Sequence, residues 1–442
     1  MDNKIMITEA IKHLIKIYLK TPMMHYRKEK IRLTLLKLYS IYVALSKRKS
    51  KRSVWVRPIY SVEQRFRQCD SNNLVTMLRA TDPSLHFNYL RMDVGTFEHL
   101  LSIVGPGIEK QTNIREPIVS HTRLQICLRY LASGDSMRSI GYAFRVSPNT
   151  VSQIIHETCD EIWLKLKDLV MPIPSKDAWT KIAEDFEAMW NFPHCMGAID
   201  GKHIVIEAPP HSGSFYYNYK KTHSLNLTGI ADAHYRFILV DVGAEGRRSD
   251  AGVFANSKLK SGLDANTLNV PPSSPVDQYE LPFVLVADEA YPLSPYLMRP
   301  YPKSSQLDLK KKVFNYRLSR ARQVIERTFG ILAARWRIFR RPINTYVSKA
   351  EKIVLATICL HNFIITKELQ KERRPQERQY LQYNGHDRQQ TSLGIIRNIG
   401  NQINRDVISR NLSSIYRERF ANYFVNEGAV QWQWEKAENN EF

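Results

Sequence analysis

The apolar residues of this 442-residue chain change their period at Cys195. Upstream they recur at three- and four-residue steps, as in Ile7, Ile11, Leu14, Ile15 and Tyr18, the spacing of an amphipathic helix. From Cys195 to about Gly243 they alternate as strand residues do. Helical spacing returns from about Lys310 to Lys367. This order predicts an α/β core preceded by helices. The expected divisions are a basic helical arm over 1–60, a helical domain over 61–185, a core over 190–368, and a polar linker with a loosely attached tail over 369–442. Within the core, 261–280 is rich in Pro, Ser and Asn and predicts a surface insertion.

Composition narrows the class. Apolar residues at 43% and charged residues at 24% are those of a globular chain. No apolar run approaches the ~20 residues of a membrane span, so a membrane partner is not expected. The first twenty residues interrupt their apolar positions with Lys and Glu, unlike a secretory signal. Five cysteines stand far apart without a CxxC pair, which predicts reduced, buried thiols and neither a disulfide framework nor a cysteine zinc site.

Lys and Arg total 64 against 43 Asp and Glu, a net charge of +21. A surplus of this size points to a polyanionic partner, because cations laid against phosphates release counterions. Five cations fall within the six residues Lys47, Arg48, Lys49, Ser50, Lys51 and Arg52. Such a block is either a nuclear import signal or phosphate-binding arm, or a solvated linker.

Residues 122–170 read as three helices with a break at Gly134. Ser147 is a suitable N-cap, and Pro148 fits the first turn of the third helix. In that helix Val151, Ile154, Ile155, Thr158 and Ile162 form the buried stripe. Asn149, Thr150, Ser152, Gln153 and His156 are left outward, where a helix-turn-helix recognition helix reaches base edges. A plain three-helix bundle with a polar surface is the competing reading.

Three acids stand out further on. Asp200 interrupts an apolar strand and is followed at once by Gly201, and an unpaired carboxylate there needs a compensating cation. Asp288 ends the continuous apolar run LPFVLVAD, at the strand edge where α/β sheets place ligands. Glu326 lies at the margin of a helical stripe formed by Leu318, Ala321, Ile325, Phe329, Leu332 and Trp336. If that helix crosses the two strands, the three acids converge. Oxygen donors of this kind suit Mg²⁺ or Mn²⁺, and two such ions can serve phosphodiester hydrolysis.

The segments GAIDGKHI, GRRSDAGVF, ADEAYPL and NYRLSRARQVIERTFGIL, followed by ICLHNF, resemble the PIF/Harbinger transposase family, including its animal-type nucleases. The resemblance runs over roughly residues 54–442. It implies an RNase H-like DDE core with a mixed five-stranded sheet and flanking helices. Asp200, Asp288 and Glu326 would be its catalytic and metal-binding acids, and Asp250 of the SDxxVF segment a further metal ligand. Asp250 could instead cap the helix that follows. Glu289 departs from the small residue usual after the second acid. Arg320, Arg322 and Arg327, with Arg317, Arg335 and Arg337 on the same segment, would hold DNA phosphates, or else form a solvated face. His203 fits a packed strand histidine better than a ligand. The Trp and Tyr residues show no spacing that reads single-stranded bases and are expected in the core.

The expected function is a metal-dependent DNA endonuclease or transposase acting on double-stranded DNA in the nucleus, with the cytoplasm also open. A Myb/SANT-like accessory protein and a homo-oligomer are compatible with the resemblance. The rival expectation is a domesticated, non-enzymatic chromatin-associated DNA-binding protein.

Overall fold

The computed structural model describes residues 3–22, 26–46, 56–111, 116–302, 307–371 and 405–439. The basic block from Lys47 to Arg52 lies outside them. The chain forms two compact units, 1–58 and 59–442. The first is a pair of helices, α1 (Asn3–Lys20) and α2 (Tyr26–Ser46), packed on each other.

The second unit begins with eight helices: α3 (Val62–Gln68), α4 (Leu74–Thr81), α5 (Pro83–Leu90), α6 (Val94–Ile108), α7 (Ser120–Ser133), α8 (Met137–Ala143), α9 (Pro148–Val170) and α10 (Lys176–Trp190). Ser or Asp side chains cap most of them by accepting a first-turn N–H, as Ser61, Asp82, Asp93, Ser136, Ser147 and Ser175 do. Gly134 closes α7 in the left-handed region, at φ 69°, which a glycine enters without a Cβ penalty. The Val151 to Ile162 stripe of α9 is buried as its period predicts.

His156 departs from expectation. It is buried, with Nε2 3.5 Å from Thr345 Oγ1. The reason is that α9 is covered on a second side by a helix from the far end of the core, so its polar flank is not free. Burial also pushes the His156 imidazole down to about 4 and keeps it neutral.

The sheet strands follow: β1 (Cys195–Val205), β2 (Ser224–Ala231) and β3 (Phe237–Glu245). Then come α11 (Asp250–Ala255), α12 (Lys258–Asp264), the hairpin β4 (Ser274–Val276) and β5 (Tyr279–Leu281), and the short strands β6 (Val284–Val286) and β7 (Leu297–Met298). The expected insertion 261–280 is mostly surface and contains this hairpin. The chain closes with α13 (Leu309–Arg335), α14 (Val347–Gln370), α15 (Arg405–Val425) and α16 (Gln433–Glu438).

The main sheet is mixed and five-stranded, in the order β3-β2-β1-β6-β7. β1, β2 and β3 form an antiparallel meander, with Asp200 opposite Gly229. β6 and β7 run parallel to β1. One apolar cluster joins Met196, Ile199, Ile230, Ile238 and Leu285 to α10. The other joins Cys195, Ala198, Leu225, Phe237 and Val284 to α13 and α14. This second cluster runs without interruption from Cys69 to Ala437, so the front helices and the sheet share one core rather than forming separate bodies. α14 is long and apolar enough for a membrane span by composition, but here it is a core helix packed on α9 and β3.

The tail also departs from expectation in its described part. α15 and α16 pack on α13, with Phe420, Ala421, Phe424 and Ala437 buried. A polar sequence around a few well-spaced aromatics hides how much of such a tail docks.

Candidate active site

Strand register alone brings two acids together. Ala198 of β1 lies beside Val286 of parallel β6. Asp200 and Asp288, each two residues further along, therefore emerge next to each other at the end of the pairing. Asp200 is half-buried, and its Oδ1 accepts the Gly201 N–H at 2.8 Å. Burial and then the neighbouring Asp288 push its carboxyl up to about 7, with Asp250 adding to the effect, while Arg322 and the Gly201 N–H oppose it. The Asp288 carboxyl is raised for the same first reason, against Arg322 and the N–H groups of Ala290 and Tyr291. Its Oδ1 accepts from the Ala290 N–H at 3.0 Å.

Asp250 joins them from α11. It is not the cap of that helix: Ser249 fills that position, its hydroxyl accepting the Gly252 N–H, and Asp250 is the first helical residue. This frees the Asp250 carboxylate, whose Oδ1 accepts from Asn226 Nδ2 at 2.9 Å. A Cβ on residue 201 would meet that oxygen at 2.1 Å, so Gly201 is what admits Asp250 against β1. Tyr291 completes the surroundings. Its ring is fully buried, edge-on to Phe254, and its hydroxyl has no hydrogen-bond partner. Burial and the three aspartates push the phenol well above its ordinary value.

Glu326 is placed differently. It is exposed and paired with Arg322 on the same helix face, Nη1 to Oε1 at 2.6 Å. Arg322 is thus the cation in the field of the aspartates, and it draws Glu326 toward itself along α13. Among the described residues no three acidic, His or Cys side chains stand close enough together to hold an ion as they are. The chemistry of the donor set nevertheless fits a hard divalent cation. Its members are carboxylates, two of them, Asp200 and Asp288, raised first by burial, with the orphaned Asn226 Oδ1 and Tyr291 Oη beside them.

The remaining sequence candidates divide. His203 is a packed histidine, its Nδ1 2.9 Å from Ser224 Oγ. The Glu289 side chain makes no described hydrogen bond or ion pair, and its carbonyl accepts from Arg299. Arg317 and Arg335 are not available to phosphates. Arg317 is buried against the Asn191 and Gly428 carbonyls and Gln433 Oε1, and Arg335 is fully buried and paired with Glu368 at 3.2 Å. Arg320 lies 4.0 Å over the Trp432 ring and Arg327 5.7 Å from that of Trp190, with Arg327 and Arg337 exposed. On α9, Asn149 is exposed, the Thr150 hydroxyl is bonded to Ser147, Ser152 is half-buried, and Gln153 donates to Glu157 at 2.9 Å. The tyrosines of the β1–β2 loop depart from the expected core placement, and Phe215 beside them is likewise exposed. Phe215, Tyr217 and Tyr219 are 50%, 44% and 63% exposed, and a loop has no period from which that could be read.

Residues 199–362 match the family described as DDE superfamily endonuclease, whose members use divalent metals. The chain is 28% identical over 309 residues to an ALP1-like protein of Arabidopsis thaliana, covering 65% of this chain and 72% of that one. It is 29% identical over 292 residues to Antagonist of Like Heterochromatin Protein 1 of the same plant, covering 63% and 72%. HARBI1 of Homo sapiens is 23% identical over 271 residues, covering 60% and 72%. No solved structure matches the chain significantly. The matched segment runs from the Asp200 strand through Glu326 to α14, so residues 199–362 are a DDE superfamily endonuclease domain, and over this region the chain is similar to Harbinger-derived relatives.

Proposed function

We propose that this protein is a divalent-metal-dependent DNA nuclease whose acidic site is built on Asp200, Asp288 and Glu326, with Asp250 as a further ligand. The observation that supports the reading is the nearness of Asp200 and Asp288, each two residues past the last parallel pair of β1 and β6, each carboxyl raised by burial among its like-charged neighbours. Such a site is costly unless a cation offsets it. Two bound Mg²⁺ or Mn²⁺ ions would supply an activated water and charge neutralisation at a phosphodiester.

The chain's own residues do the rest. Asp200, on the central strand, and Asp288, just past β6, would present the ligand oxygens, each fixed by a backbone N–H. Asp250 closes the site from α11, oriented by Asn226. Arg322 shields the aspartates from one another and, with Glu326 as its partner, is placed to transfer its charge to a phosphate. Arg320 and Arg327 would track the DNA backbone outside the site. Residues 122–170 would act as a helix-turn-helix, with Asn149, Thr150, Ser152 and Gln153 toward DNA. Nuclear residence, an accessory Myb/SANT-like protein and self-association belong to the same reading.

The second reading is a chromatin-associated DNA-binding protein without catalysis. The name of one relative, an antagonist of a heterochromatin-like protein, favours it. The test is cleavage of labelled duplexes from the DNA flanking the gene, with Mg²⁺ or Mn²⁺, beside Asp288→Asn. Nicking by the wild type alone supports the nuclease. Equal nicking by the variant overturns the site, and tight binding without nicking transfers the weight to the second reading.

A further inference from the structure

The connection between β1 and β2 projects Phe215, Tyr217 and Tyr219 outward, 50%, 44% and 63% exposed. Three exposed aromatic side chains within five residues are costly to leave in water. The loop carrying them is nonetheless tightly built. Asn218, 3% exposed, donates from Nδ2 to Thr222 Oγ1 and Ser224 Oγ, and its Oδ1 accepts the Lys220 and Thr222 N–H groups. The Ser224 N–H returns to the Tyr216 carbonyl at 2.8 Å. The rings are thus held outward by a polar hub.

Cations accompany them. The Arg247 guanidinium lies 4.4 Å from the Phe215 ring, and Lys220 Nζ 5.5 Å from that of Tyr219, with Lys221 exposed beside them. The loop also borders the acidic site. The Tyr219 ring meets that of His203 edge-on at 5.5 Å, and His203 pairs in the sheet with Asn226, the residue that holds Asp250.

We propose that this loop is a stacking platform for an unpaired nucleobase of the DNA strand at the acidic site. Rings presented rigidly among cations match the two faces of such a substrate, a π surface and a phosphate chain. A base leaving the duplex beside the reacting phosphate would gain a stack to replace the one it lost. Charge complementarity selects a nucleic acid over an apolar protein segment. The proposal rests on the nuclease reading for the identity of that strand.

The test uses the full chain in EDTA with two fluorescein-labelled 20-bp duplexes, one fully paired and one with two unpaired thymines at its centre. The wild type should bind the unpaired duplex roughly tenfold more tightly, within the range of base–aromatic stacking. Tyr219→Ala and Phe215→Ala should each remove most of that preference, and Tyr219→Trp should keep it. Equal binding of the two duplexes, or a preference unmoved by both alanine variants, overturns the platform. Cleavage in Mg²⁺ is followed separately, so that nicking without the preference removes the platform alone and leaves the nuclease reading standing.

Discussion

Asp200 keeps its proton to about pH 7 in the fold, whereas the same carboxyl in an unfolded chain ionises near pH ~4. The folded state therefore holds the proton more tightly. Stability from this group is complete below about pH 4 and is lost as pH rises through about 7. Asp288 shifts in the same direction and steepens the loss. In urea unfolding without divalent metal, Asp200→Asn should be more stable than the wild type at pH 8, by on the order of 2–4 kcal/mol. The difference should shrink toward zero near pH 4. Parallel profiles for the two proteins would show that the carboxyl is ordinary and the site uncrowded.

Element α13 serves three clients at once. Its apolar stripe, Leu318, Ala321, Ile325, Phe329 and Leu332, faces the core, Arg322 acts on the acidic strands while pairing with the exposed Glu326, and Arg317 anchors the tail. The Arg317 guanidinium sits 4.5 Å over Phe424 and satisfies two carbonyls and a Gln side chain. Arg317→Met should keep the stem's packing and orphan those acceptors, costing roughly 1–3 kcal/mol. The tail should then be the part that loosens, visible as faster amide exchange over α15 and α16. Unchanged exchange there would mean that the aromatic contacts of Phe420 and Phe424 hold the tail alone.

The same helix shows what the sequence could reveal. The apolar stripe and the strand period were legible because burial imposes a period on them, and Asp200 and Asp288 drew notice as acids breaking or ending apolar runs. That Arg317 and Arg335 point inward was not, since an arginine reads as surface until a buried carbonyl or Glu368 is known to face it. His156 was misread for the reason that a helix period shows one buried side, and α14 covers a second. Glu326 was expected to project from the stripe's edge toward the strand ends; it is exposed and paired with Arg322, an alliance that depends on which neighbour carries charge. The exposure of Phe215, Tyr217 and Tyr219 was not legible, because a loop's exposure follows from its hydrogen-bonded hub and not from any repeat.

For the molecule as a whole, the +21 charge predicts sequence-independent DNA affinity that falls steeply with salt. How the cations are held decides which of them contribute. Arg335 is spent on Glu368 and Arg317 on carbonyls, so neither can release a counterion by meeting a phosphate. Arg320 lies over the Trp432 ring and Arg327 within cation–π reach of Trp190, contacts that hold these cations without neutralising them. For a mixed-sequence duplex, the plot of log affinity against log salt should lose about 0.9 in slope with Arg327→Gln and about twice that when Arg320→Gln is added. Because Arg320 also packs on Trp432, the melting temperature of each variant is measured alongside. A double variant that melts like the wild type and keeps the full slope would remove α13 from the DNA-facing surface. The charge would then have to act from elsewhere, and the basic unit over 1–58 would be the next place to substitute.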